Sequence, residues 1–217
     1  KNYARYQASP AWNREILENL VHYWDLDEES GTILGDKPLT GEGEDVDVSP
    51  LLSDIENNST WGVKGRALDL DLSGTTLEFK EASLDSNFTI SFWVKPNASD
   101  HTFTLGDASL TYNHTAQTFK FISSTLDRKT DAQGWSHIAI VYDGLGAGEF
   151  YLDGNSTSYS ETFSVGSLSS TDFNGSLDEV RVYSEAMSEG KVKYLAGRSF
   201  LDISGNKYHA SGVGPDF

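Results

Sequence analysis

Three groups of residues have the types and spacing for chemistry. Carboxylates come first. Asp69 and Asp71, in ALDLDLSG, stand two apart, so on a strand they share a face. Glycoside hydrolysis uses two carboxylates this way, and the same spacing also makes a plain polar strand face. Glu78, in TTLEFK, has no carboxylate partner at a two-residue step. Asp178 and Glu179 interrupt the otherwise apolar run of NGSLDEVRVY, which wants an explanation. Aromatics are the second group. Trp93, Tyr112, Phe119 and Tyr159 lie on or beside strands, and Trp61 lies in NSTWGVKG. Aromatic faces stack on the apolar faces of sugars, so Trp61, Trp93 and Tyr112 are candidate ligand-binding residues. Trp61 is the one least explained by packing. Acceptor asparagines are the third group. Asn57, Asn58, Asn87, Asn97, Asn113, Asn155 and Asn174 each open an N-x-S/T sequon without proline, which is 7 of 11 asparagines. Chance would give roughly two. The excess points to an N-glycosylated, extracellular or cell-surface protein, although Asn, Ser and Thr also crowd together in turns.

Other chemistries lack their residues. Cysteine is absent, which removes disulfides, thiolate metal sites and thiol nucleophiles. His22, His101, His114, His137 and His209 show no metal spacing. There is no G-x-S-x-G elbow and no glycine-rich phosphate loop. A net charge of −17 argues against nucleic acid as a partner. It suits a solubilising acidic coat, and it also suits divalent cations. No run approaches the roughly 20 apolar residues of a membrane span, so direct membrane insertion of this chain is not expected.

The elements that must position these groups are short. Ser9-Pro10 and AWNREILENLVHYW predict a helix that opens at Ser9 within an N-terminal segment at 1–19, either a lid or a stalk. From Val21 onward the period is two. LVHYWDL, RALDLDL, TTLEFK, FTISFWVKP, TFTLG, SLTYN, TFKFIS, WSHIAIVYD, GEFYLDG and SLDEVRVY read as strands. Both faces of WSHIAIVYD are mostly apolar, which predicts a central strand. Gly35 to Asn58 reads as a long loop. Ser184 to Leu195 reads as a short helix. The class is therefore all-β, an antiparallel two-sheet sandwich or jelly roll with a short helix at the N-terminus and another after the last strand.

In order along the chain, LVHYWDLDEESGT, GRALDLDLSGTTLEF, FTISFWVKP, WSHIAIVYDG with GEFYLDG, and GSLDEVRVYSEAMSEGKVKYL resemble the laminin-G-like, concanavalin A-like jelly-roll family. The resemblance covers about Leu20 to Gly197. It implies a domain at 20–197, preceded by a segment at 1–19 and followed by a tail at 198–217. It also implies that GSLDEVRVY is the closing strand, paired near the opening one. Asp178 is then a candidate structural calcium ligand, faced by the acidic turn that contains Asp27. The alternative is an aspartate that caps backbone amides, with Glu179 facing solvent by alternation. One departure stands out. The D-x-S-G-N segment expected after the opening strand sits instead at Asp202 to Asn206. The tail is thus either a docking strand, for this domain or a neighbouring copy, or the start of a further module.

The resulting expectation is a non-catalytic extracellular domain that binds a glycan or a surface protein in adhesion. The alternative is a structural subunit of an extracellular assembly, and a polysaccharide-active enzyme is the least favoured reading.

Overall fold

A computed structural model describes residues 16–38, 43–72, 76–79, 87–97, 99–128, 134–163, 166–171 and 173–197, with the backbone of 199–200 and 210–211. The early strands are β1 (Leu20–Trp24), β2 (Ile33–Leu34), β3 (Val46–Asp47), β4 (Ser59–Trp61), β5 (Arg66–Asp71), β6 (Thr76–Phe79) and β7 (Phe88–Pro96). Then come β8 (His101–Leu105), β9 (Ala108–Asn113), β10 (Thr118–Phe121), β11 (Ser124–Asp127) and β12 (Ser136–Tyr142). The last large strands are β13 (Gly148–Leu152), β14 (Asn155–Tyr159), β15 (Leu168–Thr171) and β16 (Asn174–Tyr183), followed by helix α1 (Glu189–Leu195).

Two antiparallel sheets stack. The eight-stranded sheet has the order β14-β13-β12-β7-β16-β5-β4, with β1 also paired to β16. The six-stranded sheet has the order β11-β10-β9-β8-β15-β6. Period-two alternation builds the space between them. Ile90, Phe92 and Val94 of β7 and Ile138 and Ile140 of β12 meet Phe103, Leu110, Phe119 and Phe121 in one buried cluster. Burying each such side chain contributes about 1.5–3 kcal/mol.

The eight-stranded sheet has a second core on its outer face. Tyr23, Ala139, Val141, Tyr151 and Tyr183 lie there under Met187 and Val192. Helix α1 carries Val192, and Thr89 pins the segment that leads into it. The Thr89 hydroxyl donates to the Glu185 carbonyl at 2.7 Å and accepts the Met187 amide at 3.0 Å. This double coverage makes every residue of β12 buried, as its apolar run predicts.

All ten expected strands are present, together with shorter ones. The expected loop from Gly35 to Asn58 has more order than its polarity suggests. It pairs β2 with β3 and holds a 3-10 turn at Ile55–Asn58, with Val46, Val48, Leu52 and Ile55 buried. Aspartates supply its caps: Asp36 accepts the amides of Tyr23 and Glu44, and Asp54 those of Gly31 and Glu56. The expected N-terminal helix lies outside the described residues apart from Ile16 and Leu17, which are helical. The tail also lies outside them, except for a backbone pairing of Ser199–Phe200 with Ala210–Ser211.

Candidate functional site

The interruption at Asp178 and Glu179 is a β-bulge. The register between β16 and β7 shifts between Asp178 and Arg181, and Glu179 takes a positive φ of 55°. The extra residue breaks the alternation, so the expectation that Glu179 faces solvent fails. Glu179 is buried. Its Oε1 accepts the Tyr23 hydroxyl at 2.7 Å, and its Oε2 pairs with the Arg181 guanidinium. Arg181 in turn lies 4.6 Å from the centroid of the Tyr23 ring. The pair thus ties the opening strand to the closing one.

Asp178 does a different job. It is fully buried, and its Oδ2 accepts the amides of Val63 at 2.7 Å and Lys64 at 3.1 Å. Asp27 Oδ1 accepts the next amide but one, that of Arg66, at 2.5 Å. Two carboxylates from distant parts of the chain therefore grip one turn, Gly62 to Arg66. The turn has glycines where the carboxylates press closest. A Cβ on Gly62 would meet Asp178 Oδ2 at 2.5 Å, and at Gly65, with φ +80°, the Asp27 carboxylate occupies the Cβ position. Burial pushes the Asp178 carboxyl up to about 7. The Lys64 and Val63 amides pull it down, the Asp27 charge adds to the rise, and Arg181 opposes it.

The calcium expected at Asp27 and Asp178 needs six to eight oxygens. Here the two carboxylates each have an oxygen committed to backbone amides. Among the described residues no group of three or more His, Asp or Glu side chains gathers in reach of one ion. Asp178 Oδ1 is buried without a hydrogen-bond partner, which leaves one oxygen that a proton or a cation would satisfy. This donor set falls short of a calcium shell, and backbone amides account for one oxygen of each carboxylate.

The candidate ligand aromatics separate. Tyr112 is buried between the sheets beside Phe119 and under Arg128, so it is a core residue. Trp93 is half-buried, edge-on to His137 at 5.1 Å. Trp61 is 85% exposed on the edge strand β4, immediately before the gripped turn. Val63, within that turn, is also exposed. Asp69 and Asp71 share the outer face of β5, as their spacing requires. Asp69 accepts the Ser176 hydroxyl at 2.8 Å and Asp71 the Asn174 amide at 2.7 Å. His137 is fully buried. Burial, with Arg181 adding, pushes it down to about 3, so it is neutral at ordinary pH.

All seven sequon asparagines are exposed or half-exposed. Four stand at one end of the sandwich. Strand β7 ends at Pro96, so Asn97 follows there, and Gly175 pairs with Pro96, placing Asn174 beside it. The Asn97 amide donates to Asn174 Oδ1 at 2.6 Å. Asn113 closes β9 at the end where β8 begins, and Asn155 opens β14 where β12 begins. Asn87, before Phe88, is at the opposite end.

A family model described as the concanavalin A-like lectin/glucanase superfamily matches residues 71–193. The chain belongs to that superfamily. Solved structures of the same fold include the Trypanosoma rangeli sialidase in complex with sialic acid, at 12% identity and a TM-score of 0.58. That match covers 82% of this chain and 33% of the sialidase. The binding domain of Paraclostridial Mosquitocidal Protein 1 matches at 15% identity and a TM-score of 0.54, over 88% of this chain and 56% of that one. This chain thus spans about a third of the sialidase and just over half of the binding domain. Among curated proteins none matches the sequence. At these identities the likeness establishes the lectin-like fold alone.

The sequence reading missed the stitch of Tyr23, Glu179 and Arg181. The available signal was two adjacent acids within a strand, since strict alternation buries only one of two neighbours.

Proposed function

We propose that this is a non-catalytic recognition domain of a secreted or cell-surface protein, binding glycan through the aromatic edge at Trp61. The exposure of Trp61 carries the reading. A tryptophan that is 85% exposed leaves a large apolar face in water, and covering it with the apolar face of a sugar is favourable. The turn that follows Trp61 is held by Asp27 and Asp178, so the platform is ordered before the ligand arrives. The sialidase, solved with sialic acid, supports a carbohydrate-directed use of this fold, and the mosquitocidal-protein binding domain supports a binding role, as neighbours in architecture.

The non-catalytic part rests on partners. Asp69 and Asp71, the best-placed carboxylate pair, are each hydrogen-bonded to β16 on an open strand face. The surface assignment is supported by seven sequons on exposed or half-exposed turns and edges. A structural-subunit role would rest on the tail, which lies outside the described residues.

A glycan array tests the reading. Wild-type protein should bind at least one glycan class, and Trp61→Ala should weaken that signal at least tenfold with an unchanged melting curve. An array without any wild-type signal removes the glycan reading. Intact mass of native material tests the location, since a mass equal to the bare sequence would remove the glycosylation that supports it.

A further inference from the structure

The end of the sandwich opposite the four clustered sequons carries an open groove of about 570 Å³. Its apolar lining is Ala108, Ile122 and Phe163. Phe163 is half-buried and held by an aromatic cluster, 5.7 Å from Phe121, 6.1 Å from Phe88 and 5.1 Å from Tyr142. Its walls are hydroxyls. Ser109 and Thr111 stand on the outer face of β9, and Ser123 and Thr162 on the flanking turns. Three charges line it: Asp107, Glu161 and Lys120.

The wall that carries Glu161 to Phe163 is positioned from two sides. On one side the turn after β12 abuts it, because a Cβ on Gly146 would meet Thr162 Cγ2 at 2.7 Å. That turn presents Leu145, 89% exposed, beside the groove, and it is tightened by the Asp143 carboxylate, which accepts the amides of Leu145 and Ala147. On the other side Gly106 donates its amide to the Ser167 carbonyl at 3.4 Å.

We propose that this groove is a saccharide site selective for uncharged or amino-bearing pyranoses. The groove lies on the six-stranded sheet, away from the edge strand that carries Trp61, so it is a second site beside the one proposed above. A lining that combines an aromatic side chain with four hydroxyls suits a pyranose, which has an apolar face and a hydroxyl rim. Two carboxylates against one ammonium, on a chain of net charge −17, repel an acidic sugar and accommodate an amino sugar. Asn97, Asn113, Asn155 and Asn174 stand at the far end, so sugars attached there leave the groove uncovered. Asn87 alone of the seven shares its end.

Saturation-transfer NMR of the full chain with the methyl glycosides of glucose, glucosamine and glucuronic acid tests the proposal. The glucoside and the glucosaminide should receive saturation and the glucuronide none. Ser109→Trp, at an exposed position, should fill the groove and weaken both binders at least tenfold. Thr111→Arg serves as the second blocking variant, and melting curves check that both fold. Glu161→Lys should admit the glucuronide. Unchanged binding in both blocking variants overturns the groove, and so does loss of binding in Trp61→Ala alone, which leaves the glycan reading standing. Wild-type protein that binds none of the three also overturns the groove, while the array response at Trp61 decides the glycan reading separately.

Discussion

The outer faces of the two sheets differ, although their inner faces follow one rule. On the eight-stranded sheet the outer face is closed over β1, β12, β13 and β16 and open at β5. Tyr23, Ala139, Val141, Tyr151 and Tyr183 are covered by α1 and the segment before it, and the polar groups there are stitched to each other. On the six-stranded sheet the outer face is open and made of hydroxyls. Thr76 meets Thr171 at 2.7 Å, Thr104 meets Ser169 at 2.7 Å, and Thr102 and Ser109 face solvent. An antiparallel sheet with one wet face needs only its inner side apolar. The covered face therefore serves stability, and the open face is left to solvent.

A charge on each face should break the symmetry most sharply. Val192→Asp buries a carboxylate under α1 and should destabilise the protein by about 3 kcal/mol or more. Thr102→Asp on the open face should stay within about 0.5 kcal/mol. Denaturant melts of both variants give the two numbers. Equal effects would mean that α1 does not close its face.

Next in size is the stitch. Glu179→Ala leaves the partly buried Arg181 without its carboxylate and removes the acceptor of the Tyr23 hydroxyl. The expected loss is about 3 kcal/mol, most of it from the uncompensated guanidinium. Arg181→Met in the same background should recover part of that loss, because it removes the stranded charge. A double variant no more stable than Glu179→Ala would show that the stitch is not electrostatic.

The same two faces explain what the sequence disclosed. Strands with an apolar inner row, such as FTISFWVKP and WSHIAIVYD, announced themselves through alternation. The shorter strands β4 (STW), β11 (STLD), β14 (NSTSY) and β15 (LSST) carry few apolar side chains. Most of them are edge strands, and backbone pairing with a neighbour forms them, which leaves little periodic trace. β15 shows the limit. Ser170 is buried and donates to the Thr102 carbonyl at 2.8 Å, so a serine occupies an inward position. The exposure of Trp61 was legible because no strand pattern claimed it. Tyr112 misled because an aromatic on an alternating strand reads alike whether its face is inner or outer. The bulge at Glu179 was hidden, since a register shift depends on the partner strand.

A smaller, pH-dependent effect separates Asp178 from the rest of the closed face. Its carboxyl lies near 7 when folded and near 3.8 when unfolded, so the folded state holds a proton that the unfolded chain has released between these values. Stability from this group is therefore present below about pH 4 and lost as pH rises to about 7. Asp178→Asn keeps an acceptor for the Val63 and Lys64 amides and carries no charge. It should remove that decline and stabilise the protein at pH 8 relative to wild type by about 1–4 kcal/mol. Urea melts of both proteins from pH 4 to 8 measure the difference directly. Parallel curves would mean that Asp178 is ionised throughout.

The smallest expected effect concerns calcium, and it bears on how the turn beside Trp61 is held. If amides alone satisfy Asp27 and Asp178, chelation removes nothing that binds the native state, and the melting temperature should move by less than about 1 °C. If a cation holds the turn, its removal should lower the melting temperature by several degrees, as any ligand specific to the folded state does. The two cases also differ in Asp178→Asn. Without a cation the variant is stabilised at pH 8 whether or not chelator is present. With one, it loses a ligand and melts lower than wild type in calcium. Differential scanning calorimetry at pH 8, with and without EDTA, on wild type and Asp178→Asn makes both comparisons. Stabilisation of the variant with no response to EDTA in either protein would establish the amides of Val63, Lys64 and Arg66 as the partners of the two carboxylates.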